Sequence, residues 1–274
     1  MTSIRKQNIG GKTYYSLIER VKVNGKWGSK TLESYGTNNP EKFQPKIIKG
    51  FAEEELKNTP DNSVDLIIID PPYGINFDTN HRKEESETIG SIALDNDTIF
   101  KTFPTVVREC FRVLKEGSAF YCFARWDKCQ QFIDMINNYF VVKNNLIWVK
   151  NNWSMGDLTG AYAGRYENII FAVKGKHTLN NGRHQDVLMF DRVAGKKLKH
   201  SHQKPLKLLD FLIKKSSKAG DVVLDCYAGS GSTLLSAKRL MRQSIGVELE
   251  NKHIDVIRKR VGQKPTSHTL AVQR

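Results

Sequence analysis

Short apolar runs that alternate with amphipathic segments are the feature that most constrains how this chain can fold. The run Val64–Ile69 is almost continuously hydrophobic and ends just before Pro71 and Pro72, which is typical of a parallel strand buried on both faces. Further strands are predicted at 118–123, 145–149, 168–173, 221–225 and 244–248, and helices at 103–114, 128–139, 205–217 and 233–241. This alternation favours an α/β fold with a doubly wound, mainly parallel sheet.

The first 45 residues have a different pattern. Residues 12–23 are rich in β-branched and aromatic side chains, Asn24-Gly25 follows as a hairpin turn signal, and residues 27–35 have the composition of a return strand. We therefore predict a small basic β-hairpin module over residues 1–45, joined to a main domain over residues 46–274.

Composition restricts the class of protein. The chain has 274 residues, of which 39% are hydrophobic, enough for one sizeable core. It has no apolar run of about 18 residues and no signal-peptide pattern at its start, so we expect a cytoplasmic protein without a membrane partner. Its cysteines, Cys110, Cys122, Cys129 and Cys226, lack CxxC spacing, so neither a metal site nor a disulfide framework is expected.

The positive charge is localised. The net charge is +14, and residues 1–49 contain ten basic and three acidic residues, whereas residues 174–218 contain twelve basic and three acidic ones. A local basic excess attracts a phosphate backbone. A merely solvated surface is the alternative interpretation of each segment.

Two glycines, Gly229 and Gly231, stand between the predicted strand 221–225 and the helix that follows. Glycines allow the backbone to approach a ligand closely, and a helix N-terminus offers unpaired N–H groups to an anionic group. Glu248 ends the next strand, about twenty positions on, where a carboxylate can accept hydrogen bonds from ribose hydroxyls. Because no P-loop lysine follows Gly231, a triphosphate ligand is disfavoured, and the position of Glu248 favours a ribose-containing cofactor over an ordinary glycine-containing turn.

The Asp-Pro-Pro-Tyr segment follows a buried strand directly, so it should lie at the carboxyl edge of the sheet. An exocyclic base amine is a poor nucleophile because its lone pair is delocalised into the ring. The Asp70 carboxylate and the Pro71 carbonyl can accept both amine hydrogens, while prolines keep the loop rigid and Tyr73 offers a ring for stacking on an extruded base. A plain strand-terminating turn is the alternative.

Together these two loops resemble those of the amino-group DNA methyltransferases, which modify N6 of adenine or N4 of cytosine, in the permuted order that places the catalytic loop first. The resemblance covers residues 46–260 and includes Gln203-Lys204-Pro205 before a predicted helix. It implies the Rossmann-like class I methyltransferase fold, S-adenosyl-L-methionine as cofactor and double-stranded DNA as substrate.

The same resemblance implies the site residues. The catalytic set is Asp70, Pro71, Pro72 and Tyr73. The cofactor-binding set is Phe51, Asp70, Gln203, Lys204, Pro205, Asp225, Tyr227, Ala228, Gly229, Ser230, Gly231, Ser232, Thr233 and Glu248. The sequence departs from the family at Phe51, where an acidic residue is common, at Tyr227, where Phe is commoner, and at His202, where Thr is more usual.

Target recognition is predicted in the basic stretch 174–199, because the permuted family has its recognition region in this interval. The predicted DNA contacts are Arg183, His184, Arg192, Lys196, Lys197 and Lys199, with the lysines on phosphates. Loops 74–95 and 151–165 are expected to flank the cleft.

These observations predict methylation of N6 of adenine, because the loop begins with Asp rather than Ser. The alternatives are N4 of cytosine, RNA or a glutamine amide as acceptor, and a noncatalytic DNA-binding protein with a vestigial methyltransferase fold. Carbon-5 cytosine methylation is disfavoured because it uses a Pro-Cys nucleophile and no cysteine follows a proline. We expect a monomer or homodimer, encoded by a bacterium, phage or mobile element, with a cognate restriction endonuclease as a candidate partner.

Overall fold

Two separate sheets contain all the strands of the described part of the chain. The structure is a computed structural model, and it describes residues 2–23, 25–37, 39–73, 96–153, 159–193 and 203–263. One sheet has three strands and the other has eight.

The N-terminal sheet consists of β1 (Thr2–Ile9), β2 (Lys12–Val23) and β3 (Lys26–Gly36), paired antiparallel in that order. The predicted hairpin of β2 and β3 is confirmed. The strand β1 was not predicted, because its residues are mostly polar. Gly10 and Gly11 connect β1 to β2 with φ values of 55° and 76°, a conformation that favours glycine and suits a tight hairpin.

The eight-stranded sheet begins after a 3-10 turn at Pro40–Lys42. Its strands are β4 (Lys46–Lys49), β5 (Val64–Ile69), β6 (Leu114–Ala124), β7 (Val141–Val149), β8 (Tyr166–Val173), β9 (Val187–Met189), β10 (Val222–Asp225) and β11 (Gln243–Glu248). The helices are α1 (Ala52–Glu55), α2 (Asn96–Val113), α3 (Cys129–Asn137), α4 (Leu206–Ser216), α5 (Ser232–Arg239) and α6 (Asn251–Val261).

The strand order is β4-β11-β10-β5-β6-β8-β7-β9. The five strands from β4 to β6 are parallel, β8 is antiparallel to both of its neighbours, and β9 is parallel to β7. The sheet is therefore mixed and mostly parallel, as predicted. Such a sheet binds its ligands outside the carboxyl ends of its strands, where the strand order reverses.

Alternate residues of β5 enter two separate cores, which confirms that this strand is buried on both faces. Ile67 and Ile69 pack with α2 and α3, whereas Leu66 and Ile68 pack with α4. The four cysteines are buried free thiols. No helix in the described part of the chain is long and apolar enough to cross a membrane.

Several elements were missing from the sequence prediction. The short elements β4, α1 and β9 are only three or four residues long, too short for a hydrophobic period. Helix α6 did leave a signal, because Ile254, Ile257 and Val261 have helical spacing and Gly262 follows with a φ of 74°. Helix α2 begins at Asn96 rather than residue 103 and contains Pro104, a residue that usually marks a helix boundary.

Candidate active site

The Asp-Pro-Pro-Tyr loop lies at the carboxyl end of β5, beside the loop that follows β10. Strands β5 and β10 are adjacent and parallel, with Leu66 opposite Val223. Strand β10 continues outward to β11, whereas β5 continues outward to β6 on the other side. The two predicted loops therefore meet where the strand order reverses, which is the usual ligand-binding position of such sheets.

Asp70 accepts a hydrogen bond within its own loop. The Tyr73 hydroxyl donates to Asp70 Oδ1 over 2.5 Å. Burial raises the pKa of Tyr73 well above its ordinary value, and the nearby Asp70 carboxylate raises it further. The phenol is therefore protonated at neutral pH, and it donates its hydrogen bond to one of the two Asp70 carboxylate oxygens.

Lys204 forms an ion pair with the other carboxylate oxygen of Asp70. Its Nζ lies 2.7 Å from Asp70 Oδ2 and 3.1 Å from Glu167 Oε2, and 4.8 Å from the centroid of the Phe123 ring. Only 8% of Lys204 is exposed. Burial alone would lower the pKa of Lys204, but the Asp70 and Glu167 carboxylates outweigh burial and raise it. Lys204 is therefore a fixed ammonium group against the predicted catalytic carboxylate.

Glu167 and Lys150 extend this arrangement. Glu167 lies in β8 and Lys150 directly follows β7, and Lys150 Nζ is 2.6 Å from Glu167 Oε1. Burial would raise the pKa of Glu167, but Lys204 and Lys150 lower it to about 2. Two carboxylates and two ammonium groups thus form a charge-balanced chain that ends at Asp70, which satisfies the requirement that buried charges be paired.

The loop after β10 has the backbone that its glycines predict. Gly229 and Gly231 have φ values of 50° and 73°, and Gly231 precedes the first turn of α5. A Cβ atom on Gly231 would lie 2.9 Å from the Ile257 side chain of α6. Both the backbone conformation and the packing therefore exclude a side chain at Gly231.

Asp225 is a buried carboxylate at the end of β10. It is 4% exposed and accepts a hydrogen bond of 3.1 Å from the Tyr227 N–H. Burial raises the pKa of Asp225 to about 7; hydrogen bonds from Thr233 and the Tyr227 N–H oppose this rise, while the Asp70 and Glu248 carboxylates add to it. A cationic ligand in this cleft would offset the charge of Asp225.

Glu248 lies at the end of β11. It accepts hydrogen bonds of 2.7 Å from the Gly229 N–H and 2.9 Å from the Glu250 N–H. Burial would raise the pKa of Glu248, but His253 and these N–H donors lower it overall. Oε1 is also 3.4 Å from His253 Nδ1, whereas Oε2 has one donor and keeps a lone pair for another, which fits a ribose hydroxyl as predicted from the sequence.

Phe51 stands beside Glu248. The preceding Gly50 donates a backbone hydrogen bond of 3.2 Å to the Glu248 carbonyl, and the Phe51 side chain is 42% exposed. A large apolar side chain that is exposed next to the carboxylate predicted to bind ribose fits a purine ring. The cleft therefore has suitable groups for each part of a cationic adenosine cofactor: an exposed ring, a ribose acceptor, a glycine loop and a buried carboxylate.

The other predicted cofactor residues flank these groups. Gln203 and Pro205 lie on either side of Lys204, and Tyr227, Ala228, Ser230, Ser232 and Thr233 belong to the loop or to the start of α5. Arg260 NH1 donates to the Ser230 and Ser232 hydroxyls over 2.9 and 3.1 Å. Burial lowers the pKa of Arg260 to about 10. Arg260 thus braces the loop from α6, a contact that sequence reasoning missed.

The predicted DNA-contacting stretch is divided between the two edges of the sheet. Lys174 is buried and donates to the Phe111 and Leu114 carbonyls, so this lysine stabilises the fold rather than extending the basic surface. His184 packs on Phe211 of α4, towards the amino edge of the sheet and away from Asp70.

Arg192, in contrast, follows β9 at the carboxyl edge. The Arg192 N–H donates to Asn151 Oδ1 over 3.3 Å, next to Lys150. Arg183 precedes His184 and is exposed. Lys196, Lys197, Lys199 and the whole of loop 74–95 lie outside the described residues. Contacts of these side chains with DNA stay predictions.

Comparison with known proteins agrees with this geometry. The family whose model matches residues 64–259 is described as DNA methylase, with N6 and N4 members. The Type II methyltransferase M.HinfI of Haemophilus influenzae is 29% identical over 256 residues, covering 83% of this chain and 71% of that protein. The putative methylase YubD of Escherichia coli (strain K12) is 31% identical over 206 residues, covering 74% of this chain and 84% of that protein.

Solved structures share the architecture. The M1.HpyAVI–S-adenosylmethionine complex is 26% identical with a TM-score of 0.62, covering 80% of this chain and 99% of that one. The cytosine-N4-specific PvuII DNA methyltransferase is only 14% identical but also has a TM-score of 0.62, covering 81% of this chain and 94% of that one. Because its identity is so low, the likeness to the PvuII enzyme concerns the fold alone.

Proposed function

Because the chain belongs to the DNA methylase family of N6 and N4 amino-methyltransferases, we propose that its acceptor is N6 of adenine in double-stranded DNA. The enzyme is a DNA methyltransferase, and S-adenosyl-L-methionine is its cofactor. One observation carries the proposal that an exocyclic base amine is methylated here: Asp70, at the carboxyl end of β5, has both carboxylate oxygens held by proton donors within the cleft that adjoins the glycine loop.

Residues of both loops would hold the cofactor. Glu248 would accept hydrogen bonds from the ribose hydroxyls, Phe51 would pack on the adenine ring, and Gly229 and Gly231 would let the backbone approach the ligand. Asp225 would offset the cofactor's positive charge, and the segment 203–205 would lie towards the methionine end. When bound, the cofactor supplies an electrophilic methyl group.

Asp70 would activate the target amine. The amine of an extruded adenine would replace the Tyr73 hydroxyl at Asp70 Oδ1, and its second hydrogen would bond to the Pro71 carbonyl. Two acceptors localise the lone pair on the nitrogen, which makes the amine nucleophilic. Tyr73 would then present its ring for stacking on the extruded base, and Asp70 is placed to accept the proton that the amine releases.

Lys204 would fix the other half of the carboxylate. Its ammonium group on Oδ2 would restrict the rotation of the Asp70 carboxylate, and Oδ1 would become available to the amine once the Tyr73 hydroxyl is displaced. Glu167 and Lys150 hold Lys204 in place and balance its charge. In this proposal Lys204 serves Asp70 as a positioning residue, in addition to the cofactor contact that the family resemblance implies.

The choice of adenine rests on Asp70 as the first residue of its loop, and the same geometry also accepts N4 of cytosine. Incubating the enzyme with labelled S-adenosylmethionine and unmethylated genomic DNA, then separating the nucleosides by mass spectrometry, distinguishes the two bases. Label in N6-methyladenine supports the proposal, whereas label in N4-methylcytosine alone overturns it.

The remaining expectations are also proposals. Residues 1–45 would form a basic module and residues 46–274 the methyltransferase domain. The relative M.HinfI is a Type II methyltransferase, which supports a cognate restriction endonuclease for this chain. A monomer or homodimer in the cytoplasm stays a prediction, and co-expression with neighbouring genes followed by size-exclusion chromatography tests both partner and oligomeric state.

A further inference from the structure

The N-terminal sheet has one face whose charged residues are all basic. Side chains directly opposite each other in an antiparallel pair lie on the same face, and successive residues alternate between faces. The register pairs Arg5 with Ser16, Arg20 with Ser29, and Lys22 with Trp27. One face therefore has odd-numbered positions of β1 and even-numbered positions of β2. We call it the cationic face; its basic residues are Arg5, Lys12, Arg20 and Lys22.

Side-chain contacts agree with this assignment. Arg5 of β1 donates a hydrogen bond to Ser29 of β3, a contact that crosses the cationic face over β2. Arg20 and Lys22 both approach the ring of Trp27, at 5.8 and 6.0 Å from its centroid. Among the described residues of the three strands, no position on this face is acidic.

Trp27 is an exposed aromatic side chain beside Arg20 and Lys22 on this face. It is 66% exposed, although a tryptophan of a folded domain usually buries most of its surface. Its neighbours Ser29 and Thr31 in β3 are exposed hydroxyl residues on the same face. Basic, aromatic and hydroxyl side chains together are the residue types that contact the phosphates, sugars and bases of nucleic acids.

The opposite face is turned towards the linker. Lys6, which alternates with Arg5, forms an ion pair of 2.7 Å with Glu41 in the 3-10 turn. The Glu41 carboxylate raises the pKa of Lys6 above its ordinary value. This contact leaves the cationic face directed away from the connection to the methyltransferase domain.

We propose that the cationic face is a second DNA-binding surface, which holds duplex DNA outside the base that is methylated. Charge complementarity with the phosphate backbone carries the assignment, since the chain already acts on DNA. The cationic face contributes to DNA affinity and takes no part in methyl transfer. It therefore lowers the DNA concentration at which the catalytic cleft is occupied. The inference rests on DNA as substrate and is independent of whether adenine or cytosine is modified.

A pair of charge-matched variants of the full chain tests this proposal. Arg20→Gln with Lys22→Gln removes two positive charges from the cationic face. Lys26→Gln with Lys30→Gln removes two from the same sheet, at positions that the register places on the other face. Anisotropy of a fluorescent DNA duplex, titrated at several salt concentrations, measures affinity and the number of phosphates contacted.

We expect the Arg20/Lys22 variant to bind the duplex about tenfold more weakly, with a salt slope smaller by up to about 2. Its KM for DNA should rise while kcat at saturating DNA and cofactor affinity stay unchanged. The Lys26/Lys30 control should change affinity by less than about threefold. Equal effects of the two variants, or no effect of either, would overturn the proposal.

A second double variant distinguishes loss of charge from misfolding of the N-terminal sheet. Arg5→Gln with Lys12→Gln removes two charges from the other end of the cationic face without altering the neighbours of Trp27, and it should weaken duplex binding in the same way. Loss of single-stranded RNA binding with duplex DNA binding retained would also overturn the proposal. Nucleoside analysis of DNA methylated by the same variants tests the proposed base separately, because it does not depend on the affinity measurements.

Discussion

The carboxylates in the proposed catalytic half of the cleft edge and Asp225 in the proposed cofactor half are held in opposite ways. In the catalytic half, at the ends of β5, β7 and β8, Asp70 and Glu167 are each paired with lysine, and the pKa of Glu167 is lowered to about 2. In the cofactor half, at the end of β10, Asp225 has only uncharged hydrogen-bond donors, and burial raises its pKa to about 7. The catalytic half contains its own counterions, whereas the cofactor half is suited to receive a cation from its ligand.

Removing the Lys204 ammonium group should have the largest effect on the paired carboxylates of the catalytic half. Lys204→Met would leave Asp70 and Glu167 without their shared counterion, and breaking a buried pair in this way costs about 3 kcal/mol of unfolding free energy. Methyl transfer should fall by about 100-fold in kcat. Urea unfolding and single-turnover kinetics measure the two effects.

The double variant Lys204→Met with Glu167→Gln is the matched control for stability. It removes one charge of each sign, so it should recover part of the stability that Lys204→Met loses. It should not recover activity, because Asp70 still lacks its partner. Full recovery of kcat would contradict the positioning role of Lys204.

Glu167 should make the fold sensitive to acid. Its folded-state pKa is lowered to about 2 from a usual 4.5, so its stabilisation is fully present above pH 4.5 and is lost as the pH falls through about 2. Glu167→Gln should lower the free energy of unfolding at neutral pH by on the order of 2 kcal/mol, and by less in acid. Urea unfolding across this pH range tests the sign; a constant difference would contradict it.

Asp225 should make cofactor affinity depend on pH near neutrality. As the pH rises through about 7, Asp225 loses its proton and attracts the cofactor's sulfonium more strongly. Affinity for S-adenosylmethionine should therefore increase by about tenfold between roughly pH 6 and pH 8. Calorimetric titration measures this change, and S-adenosylhomocysteine, which lacks the sulfonium charge, should show a smaller one.

The same linkage predicts the stability of the cofactor-free protein. Because the folded pKa of Asp225 exceeds its unfolded value, the folded state binds more protons, and this group lowers the free energy of unfolding as pH rises from about 4 to about 7. Asp225→Asn should abolish both dependences. A pH profile of affinity that is unchanged in this variant would exclude Asp225 as its origin.

Phe51 should have the smallest effect. Phe51→Ala removes an exposed ring and leaves all the paired charges in place, so it should raise the KM for S-adenosylmethionine by about three- to tenfold with little change in kcat. Tyr139→Ala, which changes another exposed aromatic residue of 41% exposure, is the matched control and should leave KM unchanged. An equal response of the two variants would exclude a specific contact at Phe51.

The sequence predicted the loops that follow parallel strands better than the contacts between distant segments. Asp70, Gly229 and Glu248 were placed correctly at the cleft edge, because β5, β10 and β11 are parallel and their carboxyl ends must meet at one edge of the sheet. For these three residues, the residue type and its position in the sequence were sufficient to predict where the side chain lies.

Glu167 and Lys150 could not be predicted in the same way. Their strands β8 and β7 form an antiparallel extension whose order is set by packing, and no local pattern indicates that the start of β8 lies one strand away from the end of β5. The contact between Lys204 and Asp70 likewise joins residues 134 positions apart in the sequence. Arg183 and His184 show the same limit of local sequence, because proximity to Arg192 in sequence did not place them at the same edge of the sheet as Arg192; their contacts with DNA stay predictions.

The measurement that tests the central claim most directly compares Asp70→Asn with the wild-type enzyme in two parallel assays. One assay is calorimetric titration of S-adenosylmethionine, and the other is single-turnover methyl transfer to unmethylated duplex DNA, with the products analysed as nucleosides. We predict N6-methyladenine from the wild type, a rate loss of about 1000-fold in the variant and little change in cofactor affinity. Retained methyl transfer by Asp70→Asn would contradict the assignment of Asp70 as the group that activates the amine.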